Sequence, residues 1–517
     1  MMNCGLLLHS EKCFQRLISL VYKYRYVILG TLFIGVLAHM FMFTNKLPNH
    51  DDVHSLFSVG TTMASGRWGL RILALFLPGI SMSWLYGILS LILFAASSCL
   101  IVRTFDIKSP FFQFLLGGVV VSFPTQTATF GYMFTAFAYA IAFFLAVLVV
   151  YFVRAGWKLW LPAAVSMVLS LSIYQGYLSV TVSMLILCLI CRLLKYNECV
   201  SKLWLNGLLY IAFLVGSLGV YWLITKGLWH VSGSKMGQYA DTALVFSLRS
   251  VIEGIPKAYS FFGKILFERY GGLIPTNFVR ILHLVLFGFC LLETAVVAVR
   301  FKSWKRTMLL LFLLAVLPLG IHCMFLFIAE KAIHTLVMYS FIAFYLLTAI
   351  FMEHGRNLQI NCPKARVLHG LAIDCSAVIL AIIMLCNVNL ANEAYMQLHL
   401  RYETSYSVTT TMLAQLQNTP GYTKDSKVAI LGKYDEPGYQ ISQFRELGGM
   451  MGAEGINPNS YSYKDFIAYY MGADINWATA EECERIQQTE AYKQMEIYPD
   501  YGSIQQIENV FVIKFSN

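Results

Sequence analysis

Repeated runs of about 20 apolar residues constrain the fold of this 517-residue chain more than any other feature. A helix of that length crosses the hydrocarbon core of a bilayer. The chain is 58% hydrophobic and only 13% charged, so a soluble fold could not bury its apolar surface. The runs predict a polytopic α-helical membrane protein with about 11 transmembrane helices. The predicted spans are 27–45, 80–102, 111–124, 136–153, 159–174, 177–194, 204–225, 279–299, 307–329, 336–352 and 367–390.

Basic residues predict the orientation of these spans. The N-terminus and the loops on its side hold 18 Lys and Arg residues, whereas the opposing tight loops at 125–135 and 174–177 hold none. The positive-inside rule therefore places the N-terminus in the cytoplasm, with residues 1–26 as an interfacial helix. An odd number of spans then brings three segments to the outer face. These are a first outer loop at 46–80, a second at 226–278 with interfacial helices, and the C-terminus.

A change of charge divides the chain near residue 390. Residues 1–390 hold 29 basic and 12 acidic residues, whereas residues 391–517 hold 9 and 16. We expect a transmembrane domain followed by a small extracytoplasmic α/β domain. Because the positive charge flanks apolar spans and forms no separate patch, we expect no nucleic-acid partner. The elements predicted after residue 390 are a helix at 391–417, strands at 427–432 and 510–515, and helices near 440–451, 463–472 and 479–494.

Two adjacent carboxylates, Asp51 and Asp52, make the first outer loop the main candidate site. His50 and His54 flank them, and apolar residues between positions 53 and 64 recur at helical spacing. This pattern predicts a helix on the membrane surface with the acid pair at its start. Two carboxylates beside two imidazoles favour proton abstraction, and a helix cap is the alternative reading of the same residues.

Arg67 and Arg71 are candidate ligands of a phosphate group. They are one helical turn apart, so we expect them on one face of a helix, and a guanidinium matches the shape of a phosphate. Lys331 and His334, in a later outer loop, would complete such a site. The alternatives are arginines that reach toward lipid headgroups and two ordinary loop residues.

Tyr174, Gln175 and Tyr177 lie where two predicted spans meet on the outer face. An amide and two phenols offer hydrogen bonds to sugar hydroxyls. Trp68 and His54 are further candidate contacts to the sugar or the acceptor. Tyrosines also form the aromatic belt of membrane proteins, which is the alternative for the two tyrosines here.

Several short segments together resemble one known family. They are Asp51-Asp52 after the first span, Gly66-Arg67-Trp68, Tyr174-Gln175-Gly176-Tyr177, and the closing runs from Tyr498 to Ile504 and from Val510 to Lys514. With them the chain resembles the glucosyltransferase II-like family, the bacterial and phage membrane enzymes associated with O-antigen serotype conversion, over nearly its whole length. The resemblance implies a GT-C glycosyltransferase fold in the bacterial inner membrane. It also implies transfer of a sugar, glucose by the family's name, from a polyprenyl-phosphate donor to a cell-surface glycan such as O-antigen.

The resemblance further implies roles for individual residues. Asp51 or Asp52 would be the general base that deprotonates the acceptor hydroxyl, and Arg67 would help to hold the departing lipid phosphate. We expect no required cofactor and no dedicated metal site. A divalent cation at Asp51 and Asp52 stays possible, because GT-C enzymes differ in metal dependence. The expected partners are the lipid-linked donor, the glycan acceptor and membrane lipids.

Other classes of membrane protein are alternatives. A polysaccharide flippase or transporter would show internal repeats and interrupted helices in matched positions, which the sequence lacks. A structural membrane protein would leave the acid pair and the Gly66-Arg67-Trp68 turn without a role. A glycan polymerase or ligase would differ only in taking a lipid-diphosphate oligosaccharide as donor.

Overall fold

The computed structural model describes residues 2–60, 62–77, 80–195, 198–233, 248–270, 272–327, 335–435 and 455–516. Most of these residues are helical, and one small sheet lies near the C-terminus. The helices up to residue 417 are α1 (Met2–Lys23), α2 (Arg25–Thr44), α3 (His50–His54), α4 (Trp68–Leu73), α5 (Ser83–Phe105), α6 (Pro110–Ser122), α7 (Pro124–Phe130), α8 (Met133–Ala155), α9 (Trp160–Ile173), α10 (Leu178–Lys195), α11 (Val200–Ser232), α12 (Leu248–Phe267), α13 (Asn277–Phe301), α14 (Trp304–Ile321), α15 (Ile342–Arg356) and α16 (Pro363–Gln417).

The structure has the long apolar helices expected of a polytopic membrane protein. Within the described residues, 8 helices are long and apolar enough to cross a membrane, and a ninth candidate is the pair α6 and α7. That pair bends by 44° at Pro124, whose ring removes a backbone donor and ends the first helix. Every predicted span overlaps a helix, but α9 and α15 have only 14 and 15 residues. The count of eleven spans stays a prediction.

The helix α16 is continuous for 55 residues, through the predicted domain boundary. At 1.5 Å per residue it is about 80 Å long, far more than the roughly 30 Å of a hydrocarbon core. The predicted span at 367–390 and the predicted helix at 391–417 are therefore one element. Its C-terminal half leads directly into the small sheet, and the division at residue 390 stays a prediction.

The C-terminal sheet has four strands in the order β2-β1-β4-β3. Strand β1 pairs in parallel with β2 and β4, and β3 pairs antiparallel with β4. The two predicted strands are confirmed as β1 and β4. The predicted helix near 463–472 is found as α17, and the one at 479–494 divides into two. The predicted helix near 440–451 lies outside the described residues. The elements are β1 (Lys427–Leu431), α17 (Tyr463–Tyr469), β2 (Asn476–Trp477), α18 (Ala480–Gln487), α19 (Glu490–Lys493), β3 (Ile504–Ile507) and β4 (Val510–Lys514).

Glycines let the two apolar helices α2 and α6 pack closely against each other. A Cβ on Gly30 would lie 2.2 Å from the carbonyl oxygen of Phe114, and one on Gly117 would lie 2.4 Å from that of Val27. Small residues at such contacts are typical of helix pairs in membranes, where close van der Waals packing holds helices together. These contacts fix the first two turns of α2 against α6.

Candidate active site

The first loop begins with a short capped helix. The side chain of Asn49 accepts a hydrogen bond from the backbone N–H of Asp52 at 2.8 Å and donates one to the carbonyl of Gly131 at 2.7 Å. The cap is therefore Asn49, and neither aspartate is needed for it.

The longer surface helix predicted from residue 53 to residue 64 is wrong, because α3 ends at His54. Gly60 and Gly66 both have a φ of +71°, a left-handed conformation that interrupts a helix. The apolar residues also pack in two directions. Val53 is buried against the C-terminal domain, whereas Val59 and Met63 pack on the transmembrane core.

Asp52 points inward, and its side chain is only 1% exposed. Its Oδ2 atom lies 2.6 Å from Lys46 Nζ. Its Oδ1 atom accepts hydrogen bonds from the Ser81 hydroxyl at 2.9 Å and from the backbone N–H of Phe134 at 3.0 Å. Three donors, one of them charged, therefore match an ionised carboxylate. Sequence reasoning missed Lys46 and Ser81, although a lysine directly after the first span was a usable signal.

Asp51 points instead toward the C-terminal domain. The Tyr461 hydroxyl donates a hydrogen bond to its Oδ1 atom. His54 Nδ1 lies 2.8 Å from an Asp465 carboxylate oxygen. These partners are more than 400 residues away in sequence, and no local pattern could have identified them.

Tyr470 brings a buried hydroxyl close to the inner aspartate. Its hydroxyl oxygen is buried and has no hydrogen-bond partner among the residues that the structure describes. Burial raises the pKa of Tyr470, and the negative charge of Asp52 raises it further. The phenol therefore stays protonated and is available only as a neutral hydroxyl.

Arg67 lies immediately before α4 and points into a cluster of neutral groups. Its guanidinium donates to the Tyr139 hydroxyl at 3.1 Å and to Gln175 Oε1 at 3.4 Å, and it lies 5.4 Å from the centre of the Tyr174 ring. Burial disfavours the charge, yet the pKa of Arg67 is raised, because the phenols of Tyr139, Tyr174 and Tyr221 face the guanidinium.

The predicted shared face of the two arginines is wrong. Arg67 has a φ of −92° and a ψ of 45°, so it precedes the helix. Arg71 lies inside α4 and is exposed. A phosphate-binding role for Arg71 therefore stays a prediction without a shared geometry. Lys331 and His334 lie outside the described residues.

The turn at Tyr174–Tyr177 joins the Arg67 cluster through Gln175. The Gln175 amide donates to the carbonyl of Ser65 at 2.9 Å and to the Tyr221 hydroxyl at 3.0 Å. Tyr174 stacks on Tyr139, with ring centres 4.3 Å apart. The structure thus brings Tyr174 and Gln175 together with Arg67.

Two other candidates, Tyr177 and Trp68, have partners other than the guanidinium of Arg67. Tyr177 is 1% exposed and packs edge-on against Phe143 and Tyr339 in the core. Trp68 is also buried, and its indole N–H donates to the Thr225 hydroxyl at 3.2 Å. Both side chains therefore hold the scaffold in this structure, and their contacts to a sugar stay predictions.

A small, largely apolar cavity lies beside the Asp52 group. Ser81 and Phe134, which hold Asp52, line one part of it. Leu70 and Ala138, close in sequence to Arg67 and Tyr139, line another, and the remaining lining is largely aliphatic and aromatic. Phe134 and Tyr139 are separated by about 7.5 Å along the axis of α8. The carboxylate and guanidinium groups thus lie along the same short stretch of α8.

The acidic residues do not form a multidentate cluster in the part of the chain that the structure describes. No group of three or more His, Cys, Asp and Glu side chains there could hold a metal ion. The carboxylate of Asp52 faces the Lys46 ammonium.

Comparison with known proteins gives one match. The model of the family Glucosyl transferase GtrII matches residues 40–347. No curated protein and no solved structure matches the chain. The matched range includes the acid pair, Arg67 and the turn at Tyr174–Tyr177, and it ends before α16. Since the match covers more than half of the 517 residues, the chain belongs to the GtrII glucosyl transferase family.

Proposed function

We propose that this glucosyltransferase takes glucose from a polyprenyl-phosphate donor and transfers it to a cell-surface glycan at the outer ends of its membrane helices. The observation that carries the proposal is that the first loop brings a carboxylate and a guanidinium to one stretch of α8, where Asp52 bonds to Phe134 and Arg67 bonds to Tyr139. We further propose that the fold is of the GT-C type, and that the protein resides in the bacterial inner membrane with its C-terminal domain outside.

The surroundings of Arg67 support a phosphate-bearing donor. In the described part of the chain the groups that face its guanidinium are three phenols and an amide, all neutral. A partly buried cation with neutral neighbours gains most from an anion that arrives with the substrate. A lipid-linked donor also needs no nucleotide-binding motif.

Asp51 is the base that we propose. A base must come within hydrogen-bond distance of the acceptor hydroxyl. Asp52 is almost completely buried and already accepts from three donors, whereas Asp51 is partly exposed. We therefore assign Asp52 to positioning, because with Lys46 and Asn49 it fixes α3 and thereby the Asp51 carboxylate.

The proposed step is a displacement at the anomeric carbon of the donor glucose. The acceptor oxygen forms a bond to that carbon and passes its proton to Asp51. The bond from the anomeric carbon to the phosphate oxygen breaks, and its electron pair leaves with the lipid phosphate. Arg67 stabilises the negative charge that develops on this leaving group, an effect worth about 3 kcal/mol for one well-placed donor.

Transfer of glucose to purified surface polysaccharide tests the proposal in the wild type and in two variants. Asp51→Asn should lower kcat by about 100- to 10,000-fold with unchanged thermal unfolding, because the proton acceptor is lost. Asp52→Asn should lower both transfer and the unfolding temperature, because Lys46 loses its charged partner.

A chelator control addresses the metal. We propose that no divalent cation is needed, because the Lys46 ammonium already neutralises Asp52, so EDTA should leave transfer unchanged. Loss of transfer in Asp52→Asn alone, with a normal fold, would identify Asp52 as the base. Unchanged transfer in both variants would exclude the pair from the chemistry. No transfer by the wild type would exclude this donor and acceptor pair.

A further inference from the structure

Exposed aromatic rings lie where the first loop, with Asp51, meets the C-terminal domain. Phe57 is 57% exposed, Tyr461 60% and Tyr469 49%. The rings of Phe57 and Tyr469 meet edge-on, with centres 5.1 Å apart. Tyr461 lies between His50 and His54, at 5.6 and 5.7 Å from their ring centres. We call Phe57, Tyr461, Tyr469, His50 and His54 the aromatic face.

Polar groups lie directly among these rings. The Tyr461 hydroxyl is bonded to Asp51, and His54 is paired with Asp465 at 2.8 Å. Both members of that pair keep exposed surface, 61% for His54 and 32% for Asp465. A surface of this kind offers exposed faces of aromatic rings and, beside them, hydrogen-bond donors and acceptors.

A sugar matches this combination of groups. The C–H face of a pyranose is apolar and weakly electropositive, so it packs on the electronegative face of an aromatic ring. The equatorial hydroxyls at the ring's edge then reach carboxylates, imidazoles and phenols. A contiguous exposed apolar patch with polar groups at its rim is typical of ligand-binding grooves.

Membrane lipid is a poorer occupant of the same surface. The outer side of α17 presents Lys464 and Asp465 next to Tyr469. A helix face that rests in acyl chains does not carry a carboxylate among its contact residues, because burial of that charge is costly. The charges therefore favour a hydrated, hydroxyl-rich partner.

We propose that the aromatic face binds the sugar rings of the acceptor glycan and presents one acceptor hydroxyl to Asp51. This inference rests on the proposed function for the role of Asp51. The binding of a glycan to the face does not depend on transfer. It follows that the C-terminal domain supplies two of the five residues of this face, Tyr461 and Tyr469, which lie beyond the range that the family model matches.

The experiment measures binding without donor, so that it is separate from catalysis. The probe is fluorescently labelled cell-surface polysaccharide from the organism that encodes the chain, titrated with the full-length protein in nanodiscs. Phe57→Ala and Tyr469→Ala should each weaken binding by about 10-fold or more. Tyr469→Phe keeps the ring and should bind within about twofold of the wild type. The matched control is Tyr501→Ala, which removes an entirely exposed tyrosine from another part of the same domain and should bind like the wild type.

Each outcome decides between the two proposals. Wild-type binding by Tyr469→Ala, an equal loss in Tyr469→Phe and Tyr469→Ala, or no binding by the wild type would overturn the aromatic face. A general loss of folding would also alter the KM for the lipid-linked donor. The variants of the aromatic face should leave that KM unchanged. If the variants of the aromatic face weaken binding but the wild type transfers no glucose, the glycan-binding role of the aromatic face is supported and the proposed donor is excluded.

Discussion

The guanidinium of Arg67 illustrates at the residue scale what the local sequence could and could not reveal. The Gly66-Arg67-Trp68 turn was recognisable, and so was Gln175, its partner 108 positions later. Its contact with Tyr139 was not predicted, because Tyr139 is one of many tyrosines within apolar runs. The same applies to Asp51 and Asp52. Their adjacency was visible, but their opposite directions depend on Lys46 and Tyr461, which only the fold brings to them.

Replacement of Arg67 by lysine tests whether its planar fork matters. Arg67→Lys should lower kcat/KM for the lipid-linked donor by about 100-fold, because an ammonium cannot reach both Tyr139 and Gln175 while it holds a phosphate. Steady-state kinetics at varied donor concentration provide the measurement. Lys257→Gln removes an exposed cation elsewhere and is the control. Equal kinetics for Arg67→Lys and the wild type would mean that a point charge is sufficient there.

At the scale of elements, apolar runs located the helices well but not their ends. The run that predicted a span at 367–390 stops where polar residues begin, although the helix continues to Gln417 because nothing breaks its backbone. The helical spacing after Val53 misled for the opposite reason. Gly60 and Gly66, both with positive φ, prevent a continuous helix there, and the apolar residues of the loop pack into two different hydrophobic cores. Hydrophobic spacing indicates which residues are buried, but it does not show whether they are buried against one surface or against two.

Gly69 is the position where α4 must come closest to α9. A Cβ there would lie 2.3 Å from Ser172 Oγ and 2.9 Å from both Ile173 Cγ1 and the Ser172 carbonyl oxygen. Gly69→Ala should therefore push α4 outward, displace Arg67, lower kcat/KM by about 10-fold or more and cost about 1–3 kcal/mol of stability. Thermal unfolding in detergent and donor kinetics measure both effects.

Gly216 provides the matched control for that substitution. It lies inside a helix, α11, and a Cβ there meets no atom within 4 Å. Gly216→Ala should keep wild-type activity and stabilise the protein by up to about 1 kcal/mol, since alanine is the better helix former. If the two alanine variants behave alike, the close approach of α4 does not position Arg67.

At the scale of the whole molecule, one contact restricts the number of membrane crossings. The helix α3 follows α2 directly and is bonded to the C-terminal domain through Tyr461 and Asp465. If α2 crosses the membrane, the C-terminal domain lies opposite the N-terminus, and the number of crossings is odd. Eight crossings, one for each single helix that is long enough, would be an even number and do not satisfy this condition. Nine crossings, with the bent pair α6 and α7, and eleven, with α9 and α15 added, both do.

Native Cys199 distinguishes nine crossings from eleven. It is exposed, and hydrogen bonds from the backbone and hydroxyl of Ser201 lower its pKa, so its reactive thiolate forms at a lower pH than that of an ordinary cysteine. With eleven crossings and a cytoplasmic N-terminus, Cys199 is cytoplasmic. Without α9 as a crossing, it is outside.

The experiment labels Cys199 in a chain whose other cysteines are replaced by serine. We expect a membrane-impermeant maleimide to spare Cys199 on intact cells and to label it after lysis. A parallel chain with Tyr501→Cys as its single cysteine should react before lysis, because Tyr501 is an entirely exposed position of the C-terminal domain. Labelling of both cysteines in intact cells would establish nine crossings. Labelling of neither until lysis would contradict the outward position of the C-terminal domain, and with it the proposed site of transfer.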